Sequence, residues 1–416
     1  MTDRAASASG GPLHGLTVVD LTLNIAGPSA TLILRDLGAR VIKIESPSGD
    51  DSRQWPPFVD GLSTTYATFN RGKETIGLDL KTDAGLQVAR TLIARADVFV
   101  ESLRPGKAAA LGLGWDSLRQ DNPGLVYCSV NAFGSTGPLA GTPGFDAIIQ
   151  AYSGILDLTG HPDAEPSRVG TAVIDIGTGM WAALGILAAL RERDRTGQGQ
   201  RVEQTLLGTA TAFLMHHLAA VRLGGAVPKR IGTAQHNFAP YQVIHSRDGS
   251  VLVGVNSDRM WVTFCRAIGD TGTLAGDERF STNSARMAHR DLLIRAIEVL
   301  TGQLTTAELM QALGTAGIPA SAVRSVVDLA EDPQLDVLGL WGATDEGFDL
   351  VRFPVGRPGD TLGAAGGSAG QAHRILSELG MTTAEIEHLH ATGVAAEVSA
   401  PEPEQTGHGD DQPATR

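Results

Sequence analysis

The chain has 416 residues, of which 42% are hydrophobic, so it can bury a large core and form about two or three domains. The net charge of −13, without a long basic cluster, argues against a surface for nucleic acid or for an anionic membrane. Cys128 and Cys265 are too few cysteines for a disulfide framework or a structural zinc site, and a reducing, cytoplasmic compartment fits this usage.

Both ends of the chain are predicted to be disordered tails. Residues 1–12 lack the apolar segment that a secretion signal needs, and residues 396–416 are mostly polar, charged and rich in proline. The most apolar run, Met180–Leu190, is well below the roughly 20 residues that span a bilayer. We therefore expect a soluble protein that does not associate with membranes.

The first third of the chain alternates short β-branched runs with helical stretches. Strands are predicted at Thr17–Leu21 and Arg40–Glu45 and within the segments TIGLDL, DVFVE and LVYCSVN. Helices are predicted at Ala26–Leu37 and Thr82–Arg95, each long enough for a crossover between parallel strands. This order is typical of an α/β fold with a doubly wound, Rossmann-like parallel sheet, which we assign to a large domain over residues 13–224.

A smaller α+β domain is predicted over residues 225–335, where the pattern changes. It begins with two strand runs joined by the turn Arg247–Gly249, a strong hairpin signal. Helices are predicted near Asp258–Ile268, His289–Leu300 and Thr306–Gly314. The remaining segment, 336–395, is predicted to return to the large domain.

Asp175 ends an apolar, strand-like run and precedes Gly177, Gly179 and a helix predicted from about Met180 to Arg193. Burial disfavours its anion, whereas the backbone N–H groups at the helix start favour the anion and would also stabilise an oxyanion on a substrate carbonyl. The glycines leave room for a bulky electrophile, so the segment suits a carboxylate nucleophile that attacks a thioester. The alternative is that Asp175 only caps the helix.

Two glycine-containing turns are candidate phosphate sites. The turn Gly27–Pro28 precedes a helix predicted from about Ser29, and helix N-termini bind phosphate, although an ordinary βα turn has the same sequence pattern. Residues 177–182 read G-x-G-x-x-A, and Glu203 follows at a distance that suits a dinucleotide-binding oxidoreductase. The uniformly apolar helix behind this motif and the negative charge of Asp175 argue against that alternative.

Two loops beside predicted strands carry compact positive charge. Arg71 with Lys73, and Arg104 with Lys107, would suit the diphosphate or the 3′-phosphate of a nucleotide-like ligand. Taken singly, such a pair is more often a solvated surface feature. Only the two pairs taken together support a phosphate-binding site.

Asp146 and Gln150 lie four residues apart and share one face of a predicted helix, where they would either orient a polar substrate group or bond to the preceding loop. The adjacent pair His216–His217 faces in different directions, and so do the histidines of His388–His390. The sequence therefore predicts no metal site.

Taken in order and spacing, the motifs resemble the class III coenzyme A transferases, a family that includes the carnitine and formyl-CoA transferases and the α-methylacyl-CoA racemases. The resemblance runs from about Leu13 to Val394. The matching segments are GLTVVDLTLNIAGP, LGARVIKIESP, NRGKETIGLDLKT, ESLRPG, AFGSTGP, PGFDAIIQAYSG, VIDIGTG, RTGQGQRVEQ, the hairpin that begins with PYQV, and AGIPASAV.

The resemblance implies that Asp175 is the catalytic residue. In this family the aspartate forms an anhydride with the acyl group and then a thioester with CoA, which serves as substrate while no cofactor is bound permanently. The implied CoA contacts are Asn24, Ile25, Ala26, Arg71, Lys73, Ser102, Leu103 and Arg104. The resemblance also implies an interlocked homodimer.

The departures from the family pattern bear on the reaction. Ser102 replaces an asparagine that contacts CoA, and the Gly-rich lid of formyl-CoA transferases is replaced by a segment with Gln235 and His236, which we assign as weak substrate contacts together with Asp146 and Gln150. Similar PYQ segments in relatives that use dicarboxylates favour a di-acid. Racemases carry a histidine before Asp146, where this chain has Phe145, so transfer is favoured over racemisation. A non-catalytic CoA-binding protein is the remaining alternative.

Overall fold

The computed structural model describes residues 10–225 and 227–398, which form two compact units. The described part of the large unit runs to Ser153 and continues with Val169–Met215 and with the chain from Gln334. The small unit contains the described residues of Gly154–Arg168 and His216–Pro333. The division therefore falls before the predicted boundary at residue 224, and one segment of the first half belongs to the small unit, which the sequence did not suggest.

The secondary structure agrees closely with the predicted elements in the first third of the chain. The strands are β1 (Thr17–Leu21), β2 (Arg40–Glu45), β3 (Phe58–Val59), β4 (Leu62–Ser63), β5 (Glu74–Leu78), β6 (Val98–Glu101), β7 (Val126–Asn131), β8 (Arg201–Thr205), β9 (Tyr241–His245), β10 (Ser250–Gly254), β11 (Ala320–Ala322), β12 (Trp341–Ala343), β13 (Asp349–Val351) and β14 (Ala395–Ala396).

The α-helices are α1 (Ala26–Asp36), α2 (Thr64–Asn70), α3 (Asp83–Ala94), α4 (Lys107–Ala110), α5 (Trp115–Asp121), α6 (Asp146–Ser153), α7 (Ile155–Leu158), α8 (Val173–Thr196), α9 (Leu206–Phe213), α10 (Met215–Gly224), α11 (Asp258–Ala267), α12 (Asn283–Ala288), α13 (Arg290–Thr301), α14 (Thr306–Thr315), α15 (Val326–Ala330), α16 (Pro333–Val337), α17 (Gln371–Glu378) and α18 (Thr383–Ala391). Short 3-10 helices cover Asp51–Gln54 and Glu278–Phe280.

A mostly parallel sheet forms the centre of the large unit, as predicted. Its strand order is β14-β5-β2-β1-β6-β7-β8, and only β14 runs antiparallel to its neighbour. Strands β1, β2, β6 and β7 are buried almost throughout, although charged side chains interrupt their apolar residues; the buried ones are Asp20, Lys43, Glu45 and Glu101. The chain winds outward from β1 in both directions, so the carboxyl ends of β1 and β6 border a crevice.

Helix α8 is longer than predicted and begins earlier. The run Val173–Ile176, which we expected to be a strand, forms its first turn, so Asp175 lies inside the helix. The two glycines of the motif also lie within it and allow close packing: a Cβ on Gly177 would come 2.7 Å from Phe213 of α9, and one on Gly179 would come 2.5 Å from Ser29 of α1. They do not open a path to Asp175, which corrects the sequence-based interpretation.

By length and composition α8 could cross a membrane, and it is the one single helix among the described residues that meets this test. Half of its most apolar window is buried inside the protein, where the helix packs against α1 and α9. Core helices of α/β units have the same composition, so this result does not conflict with the prediction of no membrane segment.

The small unit is an α+β structure around a three-stranded antiparallel sheet, β11-β10-β9. The hairpin of β9 and β10 has the predicted turn, and its apolar face packs with Trp261 and Phe264 of α11 and Ile297 of α13. The chain that leads into the small unit forms two helices, α9 in the large unit and α10 at the boundary.

From Gln334 the chain belongs again to the large unit. Ile375 of α17 and Ile386 of α18 join the hydrophobic core beneath the main sheet, and β14 closes its edge through the pairing of Ala396 with Gly77. Structure therefore extends past residue 395, and it also includes residues 10–12, which we assigned to a tail. The remaining tail residues, 1–9 and 399–416, lie outside the described residues.

Candidate active site

The crevice between β1 and β6 is closed at its base by two loops that bond to each other. The loop after β1 and the loop after β6 meet where the backbone N–H of Leu23 donates a hydrogen bond to Ser102 Oγ over 3.0 Å. A crevice at this position, where the strand order reverses, is where doubly wound sheets bind their ligands. Ser102 therefore has a structural task that does not depend on contact with CoA.

A cleft of about 210 Å³ lies at this crevice and contains Asp175. Of the predicted CoA contacts, Asn24, Ala26, Ser102, Leu103 and Arg104 line the same cleft. Ile25 does not line it; this residue is the N-cap of α1. Five residues that are far apart in sequence from Asp175 thus converge with it.

Asp146 caps the helix that carries Asp175. Its Oδ2 accepts hydrogen bonds from the backbone N–H groups of Ile174 (2.7 Å) and Asp175 (3.1 Å). Val173 donates to the Thr171 carbonyl, so these N–H groups are satisfied within the protein. The N-terminus of α8 consequently has no free donor for the Asp175 carboxylate or for an oxyanion, which corrects the prediction that these groups assist catalysis.

Burial raises the pKa of Asp175 to about 7, and the nearby carboxylate of Asp146 adds to the rise. The side chain of Asp175 makes no hydrogen bond or ion pair with any residue that the structure describes. Asp175 is therefore neither the helix cap nor part of a salt bridge. It is a partly buried, unpaired carboxyl group that faces a cleft.

Gln150 holds Asp146 in place, as their spacing on one helix face allows. Its Nε2 donates to Asp146 Oδ1 over 2.5 Å, and its Oε1 accepts from the backbone N–H of Val169 over 2.8 Å. Both side chains are buried, and Asp146 is only 8% exposed. Their bonds within the protein indicate a positioning role rather than the predicted substrate contact.

Free donors are present at the start of α1 instead. The backbone N–H groups of Ala26 and Gly27, which line the cleft, have no acceptor among the described residues, and the N-cap Ile25 contributes no side-chain bond. Helix α1 starts at Ala26, so the turn Gly27–Pro28 is its first turn and not a loop before Ser29. A helix N-terminus with free N–H groups can bind a negatively charged oxygen.

Arg71 and Lys73 lie outside the cleft and are fully buried. Arg71 forms two parallel hydrogen bonds with the carboxylate of Asp36, each 2.8 Å long, and Lys73 Nζ lies 3.0 Å from Asp20 Oδ2. Both cations are neutralised inside the protein, so their side chains are not available to a phosphate on the surface. Their assignment as CoA phosphate contacts is corrected accordingly.

Arg104 is the one predicted cation that is exposed in the cleft, and its guanidinium makes no hydrogen bond or ion pair within the described part of the chain. Sequence analysis did not identify Asn131 or the loop Gly141–Gly144, which also line the cleft. The Gly and Pro content of that loop, directly before α6, was the available signal.

The dinucleotide-binding alternative is wrong. Residues 177–182 lie in the middle of α8 instead of a turn after a strand, so their backbone N–H groups are used within the helix. Glu203 does not face a ribose site; it accepts hydrogen bonds from Asn131 and Ser135.

Gln235 and His236 belong to the small unit, where they line a cavity of about 730 Å³ with His216, His217 and Lys229. The rings of His216 and His217 lie 4.0 Å apart, and His236 is next to His217. Among the described residues, no group of three or more histidine, cysteine, aspartate and glutamate side chains is placed to hold a metal ion.

Comparisons with known proteins identify the family of this chain. Residues 13–359 match the model of CoA-transferase family III. The chain is 39% identical to a succinate–glutarate CoA-transferase of Agrobacterium fabrum, over 79% of this chain and 84% of the relative, and 39% identical to an acetyl-CoA:oxalate CoA-transferase of Acetobacter aceti, over 80% and 86%.

A solved structure gives the same result. The CAIB/BAIF family protein from Brucella suis superposes with a TM-score of 0.80 at 38% identity, covering 89% of this chain and all of the solved chain. The chain therefore belongs to CoA-transferase family III, and it is an enzyme that transfers CoA. This confirms the resemblance drawn from the sequence motifs.

Proposed function

We propose that this enzyme moves CoA from an acyl-CoA donor to a free carboxylic acid through a covalent intermediate on Asp175. The observation that carries the proposal is the state of that carboxyl group, which lines the cleft, has no partner among the described residues and has a pKa raised to about 7 by burial and by Asp146. A carboxylate with a raised pKa is more basic and more nucleophilic than an exposed one.

The proposed reaction has four acyl-transfer steps. The Asp175 carboxylate attacks the thioester carbonyl, which forms a mixed anhydride and releases the CoA thiolate. The thiolate attacks the Asp175 carbonyl of the anhydride, which frees the donor acid and leaves Asp175 as a CoA thioester. The acceptor carboxylate attacks this thioester, which forms a second anhydride and releases the CoA thiolate. The thiolate then attacks the acceptor acyl carbonyl, which gives the new acyl-CoA and regenerates the Asp175 carboxylate.

Each tetrahedral intermediate carries a negatively charged oxygen. The N–H groups of Ala26 and Gly27 at the start of α1 are free backbone donors on the cleft wall, and we assign them to this oxygen. We assign CoA binding to the cleft residues of the loops after β1 and β6, in which Arg104 meets a phosphate and Asn24, Ser102 and Leu103 contact the rest of the molecule.

The acids that it uses are proposed to be dicarboxylates. The names of the relatives above include succinate, glutarate and oxalate. In the small unit, the cavity with Gln235 and His236 has one lysine, three histidines and no acidic residue in its described lining, so it suits a carboxylate. We retain Gln235 and His236 as proposed substrate contacts on this ground.

The enzyme is proposed to work as an interlocked homodimer. In the isolated chain α8 exposes a row of large apolar side chains, Met180 (56% exposed), Trp181 (41%) and Leu184 (56%), beside Phe213. Exposed apolar patches of this kind mark protein interfaces. The strand order, with three parallel strands on each side of the crevice, supports the Rossmann-like class.

A cytoplasmic location is proposed from the two buried, unpaired cysteines and the net negative charge. The proposed chemistry exchanges acyl bonds of similar energy and calls for no permanently bound cofactor.

Acid–base racemisation at the α-carbon is less well supported, because it needs a second proton-transfer group beside Asp175. Phe145 has no such group, and Asp146 is occupied as the helix cap.

Trapping of the intermediate tests the proposal. The enzyme is incubated with succinyl-CoA, acetyl-CoA or glutaryl-CoA and then with hydroxylamine, and peptide mass spectrometry locates the hydroxamate. We expect the modification on Asp175, none in Asp175→Ala, and full modification in Asp194→Ala, which removes an exposed carboxylate of the same helix.

Binding of CoA without modification of Asp175, in a preparation that turns over none of the donors, would contradict the proposal and favour a non-catalytic CoA-binding protein. Turnover with an unmodified Asp175 would contradict the covalent mechanism alone.

A further inference from the structure

A second cavity, of about 300 Å³, lies at the carboxyl ends of β6 and β7, and α5 contributes to its wall. It shares Leu103, Arg104, Pro105 and Asn131 with the cleft that contains Asp175, but Asp175 itself does not line it. Of the residues around this cavity, the proposed transfer reaction uses only the shared Leu103 and Arg104. Its polar groups nevertheless point to a ligand.

The first of these groups is the hydroxyl of Ser129. The residue is only 7% exposed and lines the cavity, and its Oγ has no hydrogen-bond partner. Buried hydroxyl groups in proteins are bonded in the great majority of cases, so an unpaired one that borders a cavity indicates a partner in that cavity.

Two guanidinium groups border the same space. Arg104 has no partner within the described residues, as noted above. Arg201 lies 3.6 Å from the Glu203 carboxylate and 3.5 Å from Ser135 Oγ, both long contacts, because Glu203 already accepts shorter hydrogen bonds from Asn131 and Ser135. Both arginines therefore retain donors for an anion.

Glu101 limits the choice of anion. Its carboxyl group is 5% exposed and accepts hydrogen bonds from the backbone N–H of Leu103 (2.8 Å) and from the hydroxyl of Tyr127 (3.1 Å). Burial raises the pKa of Glu101 to about 7 in spite of these bonds. A phosphate dianion would be repelled here, whereas a single carboxylate can share a proton with Glu101.

We propose that this cavity is a second binding site, which takes one carboxylate of a small organic acid through Ser129, Arg104 and Arg201 while Glu101 takes up a proton. The acid is of the class that the enzyme is proposed to exchange, and in this respect the inference rests on the proposed function. Arg104 borders both cavities, so an acid in the second site competes with CoA for it. Free acid then lowers the affinity for acyl-CoA without entering the cleft.

The proton uptake follows from the charges that surround Glu101. A bound carboxylate adds negative charge next to a buried acid and so favours its protonated form. The other charged or titratable groups around it are Tyr127, Arg104, Arg201, Glu203, Cys128 and Asp116. The thiol of Cys128 and the hydroxyl of Tyr127 have raised pKa values and stay neutral near pH 7, which leaves Glu101 as the group that takes the proton.

Isothermal titration of the intact enzyme with glutarate tests the site. We expect glutarate to bind to this site in the wild type and in Asp175→Asn alike, and Ser129→Ala and Arg201→Gln each to weaken this binding about tenfold, the loss expected for one hydrogen bond to a charged group. Arg195→Gln, which removes an exposed arginine elsewhere in the same unit, leaves binding unchanged. Titrations at pH 7.5 in two buffers show proton uptake, which Glu101→Gln abolishes.

Loss of binding in Asp175→Asn, or equal affinity in the wild type, Ser129→Ala and Arg201→Gln, would overturn the site. Tight binding of inorganic phosphate that is lost in the same two variants would overturn the choice of a carboxylate. If hydroxylamine trapping fails while glutarate binding depends on Ser129, the transfer mechanism falls and this site stands. If trapping succeeds while glutarate binding does not depend on Ser129, only this second site is contradicted.

Discussion

Two groups of charges in the large unit differ in what the fold does with them. Around β1, β2 and β5, charged side chains are buried and matched: Lys73 with Asp20, Lys43 with Asp50, and Arg71 with Asp36. In the cleft, Asp175 and Arg104 are unmatched. The first group holds these strands and the turns that follow them in place, whereas the second remains available to a ligand.

The matched group is held by hydrogen bonds as well as by charge. Burial alone would raise the pKa of Asp20, yet Lys73 and Lys43, with the hydroxyl groups of Thr22 and Thr31, hold it at about 2. Burial lowers the pKa of Lys73 to about 8 against the attraction of Asp20. Such a pair contributes little net stability, but removal of one member leaves a buried charge without a partner.

The largest expected effect is on stability. Lys73→Met leaves Asp20 buried with one cation fewer, and we expect a loss of about 3 kcal/mol in the free energy of unfolding, as for other broken buried pairs. Urea unfolding monitored by circular dichroism measures it. Lys107→Met, which removes an exposed lysine from the other basic loop, serves as the control and leaves the stability unchanged. Equal effects of the two substitutions would remove the distinction between the loops.

The same comparison predicts the opposite order for ligand binding. Arg104→Gln removes the free guanidinium of the cleft, and we expect the KM for acyl-CoA to rise about tenfold, or 1.4 kcal/mol. Arg71→Gln weakens the fold but leaves the KM of the folded enzyme unchanged, because its guanidinium is occupied by Asp36. Initial rates over a range of acyl-CoA concentrations decide between them. A raised KM in Arg71→Gln with a normal KM in Arg104→Gln would reverse the assignment.

This contrast also shows what the sequence could not predict. The order of strands and helices followed from periodicity, and β1 and β2 have their predicted bounds. Burial of Arg71 and Lys73 depends on carboxylates from β1 and α1, far away in sequence. No local pattern distinguishes their loop from the loop of Arg104.

The prediction of where α8 begins was wrong for a related reason. Val173 and Ile174 favour a strand by local propensity, but the helix there is stabilised by Asp146, a cap from another helix. The sequence did place Asp175, Asn24, Ala26, Ser102, Leu103 and Arg104 in one site, and the cleft brings them together. This grouping came from the family resemblance, and the roles of Asp146 and Gln150 required the contacts.

Asp146 is expected to influence the pH dependence of catalysis by Asp175. Attack requires the anion of Asp175, so kcat/KM of the wild type should fall as the pH drops below about 7. Asp146→Asn removes the second cause of the raised pKa, while burial, the first cause, remains. The acidic limb of the profile, where kcat/KM falls, should therefore move down by about one pH unit. In Gln150→Leu, which loosens Asp146 without removing its charge, the rate falls and the limb stays in place. An unmoved limb in Asp146→Asn would exclude the coupling.

The smallest effect concerns stability and has opposite signs for the two groups. The pKa of Asp175, about 7, lies above the value of about 4 expected in the unfolded chain, so its contribution to stability is present in full below pH 4 and is lost as the pH rises through 7. The asparagine of Asp175→Asn cannot ionise, so this variant has no unpaired charge in the cleft. We expect it to be more stable than the wild type by about 1 kcal/mol at pH 8, a gain typical of substitutions that remove a destabilising active-site group.

The gain of Asp175→Asn should shrink as the pH falls toward 5. For Asp20 the sign is reversed, because its pKa is lowered to about 2 and its stabilisation is present above pH 4. Asp20→Asn should therefore be less stable than the wild type at pH 8. Urea unfolding of the two variants at pH 5, 6.5 and 8 measures both trends. Destabilisation by Asp175→Asn at pH 8 would mean that its carboxylate is matched after all, and the contrast between the cleft and the buried pairs would be lost.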